Sequence, residues 1–318
     1  MAFQPIVVEP AVSRTNGGRW ACRWISYRTM QPRRLSILGV GLLGGSIGLA
    51  AKSAASSCEI VGYGHRKSTL DRAVEVGAID EGYDDLPRAV RGADWVILCT
   101  PVGLFSQILH QLAPHLAQGA IVTDVGSTKR SVIETAQKIL PKWVRFVGSH
   151  PMAGSEKRGI EFARADLFRG ATCILTPTPD TDTNALAAVG SFWQSLGMRI
   201  TRLPPDDHDR LLTDVSHLPH AVAAALVAMQ SDEALTLAGK GFLDATRIAG
   251  GDGALWRDIL LDNRDNMRAG IERLQRQLSE LSARLDPSQS ESLKTWLDQA
   301  AQRREALLKK KLAELNPD

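Results

Sequence analysis

The stretch Arg34-Leu35-Ser36-Ile37-Leu38-Gly39-Val40-Gly41-Leu42-Leu43-Gly44-Gly45-Ser46-Ile47-Gly48 decides the fold. A short β-prone run, residues 34–38, leads without a spacer into G-x-G-x-x-G, and the small apolar residues at 44–53 read as a helix. Between a strand and a helix each glycine has a physical task. Gly39 permits the tight turn, Gly41 lets the backbone approach a pyrophosphate, and Gly44 lets helix and sheet pack closely, while the helix N-terminus faces negative charge. With Leu42 and Leu43, these glycines form the expected phosphate-binding loop of a dinucleotide site.

Working outward, residues 59–63, 94–100, 120–125, 145–148, 171–176 and 198–202 read as strands, and 68–76, 104–116, 129–140 and 182–196 as helices. Trp95-Val96-Ile97-Leu98-Cys99 is unbroken and apolar, as a strand buried on both faces should be. This alternation predicts an α/β fold, a Rossmann-type doubly wound, mostly parallel sheet. Strand signals stop at Pro204-Pro205. Residues 206–229, 233–242, 255–285 (with a break near Asn263) and 288–315 all read as helices, so an all-α domain should follow. The expected division is an N-terminal extension at 1–32, a dinucleotide-binding domain at 33–203 and a helical domain at 204–318. In the extension, Arg14, Arg19, Arg23 and Arg28 stand against the single acid Glu9. With no sustained amphipathic period, it reads as disordered, or as preceding a true start at Met30, rather than as a transit peptide.

Composition narrows the class. The 318 residues carry 38 basic and 35 acidic side chains, a net charge of +3 that does not suit a dedicated nucleic-acid binder. The longest greasy run, 221–229, is well short of the ~20 apolar residues of a bilayer crossing, so no membrane association is expected. Cys22, Cys58, Cys99 and Cys173 form no CxxC pair, which fits a reducing, cytoplasmic setting.

The end of the second strand bears on the cofactor. An NAD-selecting site usually places Asp or Glu there, but this chain reads Gly64-His65-Arg66-Lys67-Ser68. A missing acid removes repulsion against a 2′-phosphate, and Arg66 can grip one bidentately with Lys67 and Ser68 beside it. NADP is therefore the preferred reading, with NAD as the alternative.

Three polar clusters carry the remaining chemistry. Asp124-Val125-Gly126-Ser127-Thr128-Lys129 closes a strand and opens a helix. Gly148-Ser149-His150-Pro151 puts a histidine at a strand end, a poor place for a core residue and a good one for a general base. Ser216-His217-Leu218-Pro219-His220 lies on an apolar helix, with Thr246-Arg247 further on. His150, His208, His217 and His220 lack metal-ligand spacing, and no metal is expected.

The runs GVGLLGGSIGLA, CTPV, DVGSTK, GSHPMAGSE, SHLPHAVAAALV and TRIAGGDGALWRDI occur in this order and closely resemble prephenate and arogenate dehydrogenases across residues 34 to about 285. The resemblance implies a Rossmann domain followed by a helical domain that makes a homodimer. It implies oxidative decarboxylation, of prephenate to 4-hydroxyphenylpyruvate or of arogenate to tyrosine. Carried over by position, His150 is the catalytic histidine and Ser127 its partner at the substrate hydroxyl. Arg247 grips a substrate carboxylate, His220 stands near the side chain, Glu156 lies at the pocket mouth, and His208 is a weaker match to a pocket position. On the cofactor side, His65 and the Thr100-Pro101 turn join the glycine loop. Leu243 departs from relatives that carry a lysine there. The competing readings are a β-hydroxyacid dehydrogenase or imine reductase, whose fingerprints lack GSHPMAGSE, and a non-catalytic NADP sensor, which would not need Ser127, His150 and Arg247 together.

Overall fold

The computed structural model describes residues 32–54, 57–155 and 157–315, with a short antiparallel hairpin between β1 (Val12–Arg14) and β2 (Trp20–Cys22). Apart from that hairpin and Pro32, the expectation for residues 1–32 lies outside the described residues. The chain packs as two units, Met1–His208 and Asp209–Asp318.

The first unit is built on an eight-stranded sheet of order β10-β9-β8-β7-β6-β3-β4-β5. Its strands are β3 (Arg34–Leu38), β4 (Glu59–Tyr63), β5 (Glu81–Tyr83), β6 (Trp95–Leu98), β7 (Ile121–Asp124), β8 (Arg145–Pro151), β9 (Thr172–Thr176) and β10 (Arg199–Arg202). Strands β3 to β8 run parallel, β9 is antiparallel to β8, and β10 is parallel to β9. From β3 the chain first winds outward to β5, then returns to the other side of β3 at β6. That reversal opens a crevice at the carboxyl ends of β3 and β6, where open α/β sheets bind ligands.

Side-chain alternation explains the two layers of helix. Leu35, Ile37, Trp95 and Ile97 face the helices Leu42–Ser53 and Thr183–Ser195, meeting Ile47, Ala51, Phe192 and Trp193. Leu38, Val96, Leu98 and Val122 face Phe105–Leu112 and Arg130–Ile139 on the other side. The doubly wound architecture read from the sequence is thus present, with differences of detail. Strand β5 and the helix Leu86–Val90 were not anticipated, because three and five residues are too short to show a period. Strand β8 runs past the expected end at 148. It pairs with β7 as far as Val147, then exchanges that partner for β9 from Gly148 onward.

The second unit is helical. The helix Pro205–Leu212 leads through a π-turn, Thr213–His217, into Leu218–Ala228. Together they make a 24-residue stretch, long and apolar enough by length and composition to cross a membrane, with mean hydropathy 1.3 in its most apolar window. This corrects the expectation that nothing approaches that length. Pro219 follows the π-turn directly and sits in the first turn of Leu218–Ala228, where a proline's missing N–H would have no partner within that helix. Further on, Asn263 separates Gly253–Asp262 from Arg264–Ala283, as expected, and Ser290–Leu315 closes the chain.

Candidate active site

At the glycine loop, Gly39 N–H donates to the Tyr63 carbonyl at 2.9 Å, and its φ of +106° turns the chain off β3. A Cβ there would lie 2.9 Å from the Cys99 carbonyl carbon, so the turn rests directly on the end of β6. A Cβ on Gly44 would come within 2.0 Å of the Gly39 carbonyl oxygen, a measure of how closely the helix meets the turn. At Gly41 a Cβ would meet nothing within 4 Å. The helix Leu42–Ser53 starts there with no side-chain cap and no acid in its first turn, leaving its first N–H groups and open space for an anion. These residues fit a dinucleotide pyrophosphate. Beside them, the Thr100 hydroxyl is buried and has no hydrogen-bond partner among the described residues, and Pro101 is exposed.

Where an acid would select NAD, Gly64 N–H donates to the Tyr83 carbonyl at 3.1 Å. A Cβ on Gly64 would sit 3.5 Å from Leu70, an ordinary contact, so sterics do not demand glycine there. His65 packs edge-on to Tyr63 with ring centroids 5.4 Å apart. Arg66, Lys67 and Ser68 are exposed in a row, and the Lys67 ammonium reaches Asp71 at 3.1 Å.

The carboxyl end of β7 holds a feature that sequence reasoning missed. Asp124 and Lys129 form an ion pair with both side chains fully buried. The same Asp124 carboxylate accepts from Gly126 N–H at 2.8 Å and from Ser149 N–H at 3.1 Å, while the Ser149 hydroxyl donates to the Asp124 carbonyl at 2.5 Å. Trp193 donates its indole N–H to that hydroxyl at 3.1 Å. The loop bearing half-buried Ser127 is thereby tied to β8 one residue before His150. An acid ending a fully buried strand, with a lysine five positions on, was the signal available in the sequence.

His150 is 8% exposed and lies in the β8–β9 ladder opposite Ile174. Its Nδ1 is 2.9 Å from Nε2 of His208, which is fully buried on the helix Pro205–Leu212. Nearby, burial pushes the pKa of the Cys99 and Cys173 thiols above their ordinary range. Glu156 lies outside the described residues.

In the second unit, His220 stacks on Trp256 with centroids 3.5 Å apart and planes 10° from parallel. Burial lowers its pKa, opposed by a hydrogen bond to the Ile248 backbone, and its Nδ1 has no partner among the described residues. Arg247 is exposed at the start of the turn Arg247–Gly250, and Leu243 is exposed as well. Asn263, read from the sequence only as a helix break, places its amide nitrogen 2.8 Å from the Asp209 carbonyl, 2.8 Å from the Thr213 hydroxyl and 3.1 Å from His217 Nδ1. It thereby braces the π-turn from inside.

Residues 47–202 match the family model described as prephenate dehydrogenase, nucleotide-binding domain, and residues 204–299 match prephenate dehydrogenase, dimerization domain. The chain is 35% identical over 278 residues to a prephenate dehydrogenase of Bacillus subtilis, covering 85% of this chain and 75% of that one. It is 36% identical over 238 residues to a cyclohexadienyl dehydrogenase of Zymomonas mobilis, covering 73% and 81%. Among solved structures, it resembles prephenate dehydrogenase from A. aeolicus in complex with hydroxyphenyl propionate and NAD+, with TM-score 0.82, 35% identity and coverage of 88% and 100%. It also resembles Synechocystis arogenate dehydrogenase, with TM-score 0.74, 33% identity and coverage of 86% and 99%.

The buried pair generates a stability prediction. Lys129→Met strands the Asp124 carboxylate and should cost about 3–5 kcal/mol in urea unfolding. Adding Asp124→Asn to that variant should recover more than half of the loss. A single variant within 1 kcal/mol of the parent would show that the pair is not what holds the loop.

Proposed function

The chain belongs to the prephenate dehydrogenase family of NAD-dependent oxidoreductases, and from that premise we propose that it oxidatively decarboxylates prephenate to 4-hydroxyphenylpyruvate on the way to tyrosine. The observation that carries this reading is His150, buried at the carboxyl end of β8 with its Nδ1 held 2.9 Å from Nε2 of His208, an arrangement that fixes the imidazole ring where open α/β sheets bind ligands. When bound, the dinucleotide supplies the hydride acceptor, and loss of the ring carboxylate as CO2 makes the ring aromatic. His150 takes the proton of the ring hydroxyl on Nε2 and returns it to the phenolate oxygen once the carboxylate has left, so no net proton is consumed. Ser127 hydrogen-bonds the same hydroxyl and orients it. Arg247 holds a substrate carboxylate and His220 stands at the side chain; Glu156 enters only through its match to an acid of the family.

A second reading, arogenate as substrate and tyrosine as product, draws support from the likeness to the Zymomonas mobilis cyclohexadienyl dehydrogenase and the Synechocystis arogenate dehydrogenase. The two substrates differ only in a keto or amino group on the side chain. For the cofactor, NADP is favoured by Gly64 in place of an acid and by the exposed row Arg66, Lys67 and Ser68.

We place the domain junction near residue 203, between the two matched segments, although packing assigns residues 204–208 to the first unit. A homodimer is supported by the second segment's description and by the helix Arg264–Ala283. There Met267, Ile271, Leu274, Leu278 and Leu281 recur at heptad spacing, with Ile271 41% and Leu278 54% exposed, a seam that a second copy would cover. A cytoplasmic setting agrees with the free cysteines Cys99 and Cys173, which form no disulfide.

Steady-state assays of reduced-cofactor production test the reaction. His150→Asn should lower kcat roughly 10²- to 10⁴-fold with little change in cofactor KM, and an unchanged kcat would remove His150 from the chemistry. Arg247→Ala should weaken prephenate binding by about 1.5–3 kcal/mol, the size of a charge-assisted contact, and a normal KM would make Arg247 structural. The KM for NADP should lie at least about tenfold below that for NAD, with Gly64→Asp reversing the order. A parent enzyme that prefers NAD would end the NADP reading.

A further inference from the structure

We propose that His208 is a positioning residue that fixes the tautomer of His150 and shares the charge His150 acquires during the reaction. This deepens the preceding reading and rests on His150 being the base. The contact is a nitrogen–nitrogen hydrogen bond and not a ring stack: Nδ1 and Nε2 are 2.9 Å apart, while the ring centroids are 5.1 Å apart and the planes 57° from parallel.

A bond of this kind needs one proton between the two nitrogens, which leaves two arrangements of neutral rings. In one, His208 Nε2–H donates to His150 Nδ1. His150 then carries its own proton on Nε2 and cannot act as a base there. In the other, His150 Nδ1–H donates to His208 Nε2, His208 holds its proton on Nδ1, and the basic lone pair of His150 lies on Nε2. Only the second supports the reaction.

When His150 gains the proton, its Nδ1–H becomes part of an imidazolium, and the bond to His208 becomes charge-assisted and stronger. His208 therefore does its work as positive charge develops, in the manner of a carboxylate that orients a catalytic histidine and balances its charge. No bond to substrate is made or broken at His208, and it keeps its own proton throughout. Its placement suits that task. It is fully buried, with its Nε2 spent on His150, and its backbone is anchored by its N–H donating to the Pro204 carbonyl at 2.9 Å. The sequence places His208 among substrate contacts; the geometry points to a role one step behind the substrate.

The test compares His208→Leu, which removes the acceptor, with His208→Gln, whose side-chain carbonyl can still accept from Nδ1–H. It adds long-range 1H–15N correlation spectra of the ring nitrogens in histidine-labelled full-length protein. The leucine variant should lose roughly 10- to 100-fold in kcat with KM for prephenate and cofactor within about threefold. The glutamine variant should recover to within about fivefold of the parent. In the parent, the spectra should show neutral His150 protonated on Nδ1. Three results would each overturn the proposal: a parental kcat in the leucine variant, a loss confined to KM, or a parent His150 protonated on Nε2. If the leucine variant does not fold, the glutamine variant and the parent spectra still decide, and a folded glutamine variant as impaired as His150→Asn counts against the proposal. An active His150→Asn would sink the base assignment itself. An inactive His150→Asn beside fully active His208 variants would sink only the pairing.

Discussion

A fully buried carboxylate is tolerable only when its oxygens are engaged, and Asp124 meets that demand in a way that organises the site. Its side chain holds the Lys129 ammonium and two backbone N–H groups, one from the loop that follows β7 and one from β8. Those partners belong to the two segments that carry Ser127 and His150. Satisfying one buried charge therefore sets the spacing between two groups proposed to share a substrate hydroxyl. The expense of burying Lys129 as well is met by the same contact, so neither residue can be changed alone without leaving a charge in an apolar interior.

The parts of this arrangement governed by local pattern were legible in the sequence. The glycine loop was readable because turn, close approach and helix start each impose a residue type at a fixed offset. The core strands were readable because burial on both faces leaves unbroken apolar runs such as Trp95–Leu98. The pairing of His150 with His208 was not readable. Fifty-eight positions separate them, and nothing in either local run signals the contact. Asp124 and Lys129 were quoted as part of a motif without their partnership, since an ion pair across a loop has no period. The apolar heptad along Arg264–Ala283 was legible in principle but was absorbed into a general helical reading, because amphipathic and coiled-coil periods differ by only a tenth of a residue per turn.

In the second unit, the polar groups of an apolar helix are handled by local geometry. The π-turn releases backbone groups that an α-helix would pair internally, and Asn263 reaches in to take up the Asp209 carbonyl. The asparagine that ends one helix thus supports another, and the ring of His217 is oriented by the same amide. Trp256, on the helix just before Asn263, covers the face of His220 and keeps it out of water, which accords with the lowering of its pKa by burial.

Strand β8 exchanges its partner between Val147 and Gly148, and His150 falls on the far side of that exchange. Its backbone is knitted into a regular ladder with β9 instead of hanging from a connecting loop. Diversification of such an enzyme can therefore proceed in the segments beyond Pro151, which can lengthen, shorten or trade recognition residues while the proposed proton acceptor stays put. A scaffold of this kind separates what is transformed from how the transformation occurs, and would permit new ring acids to be accommodated without rebuilding the chemistry.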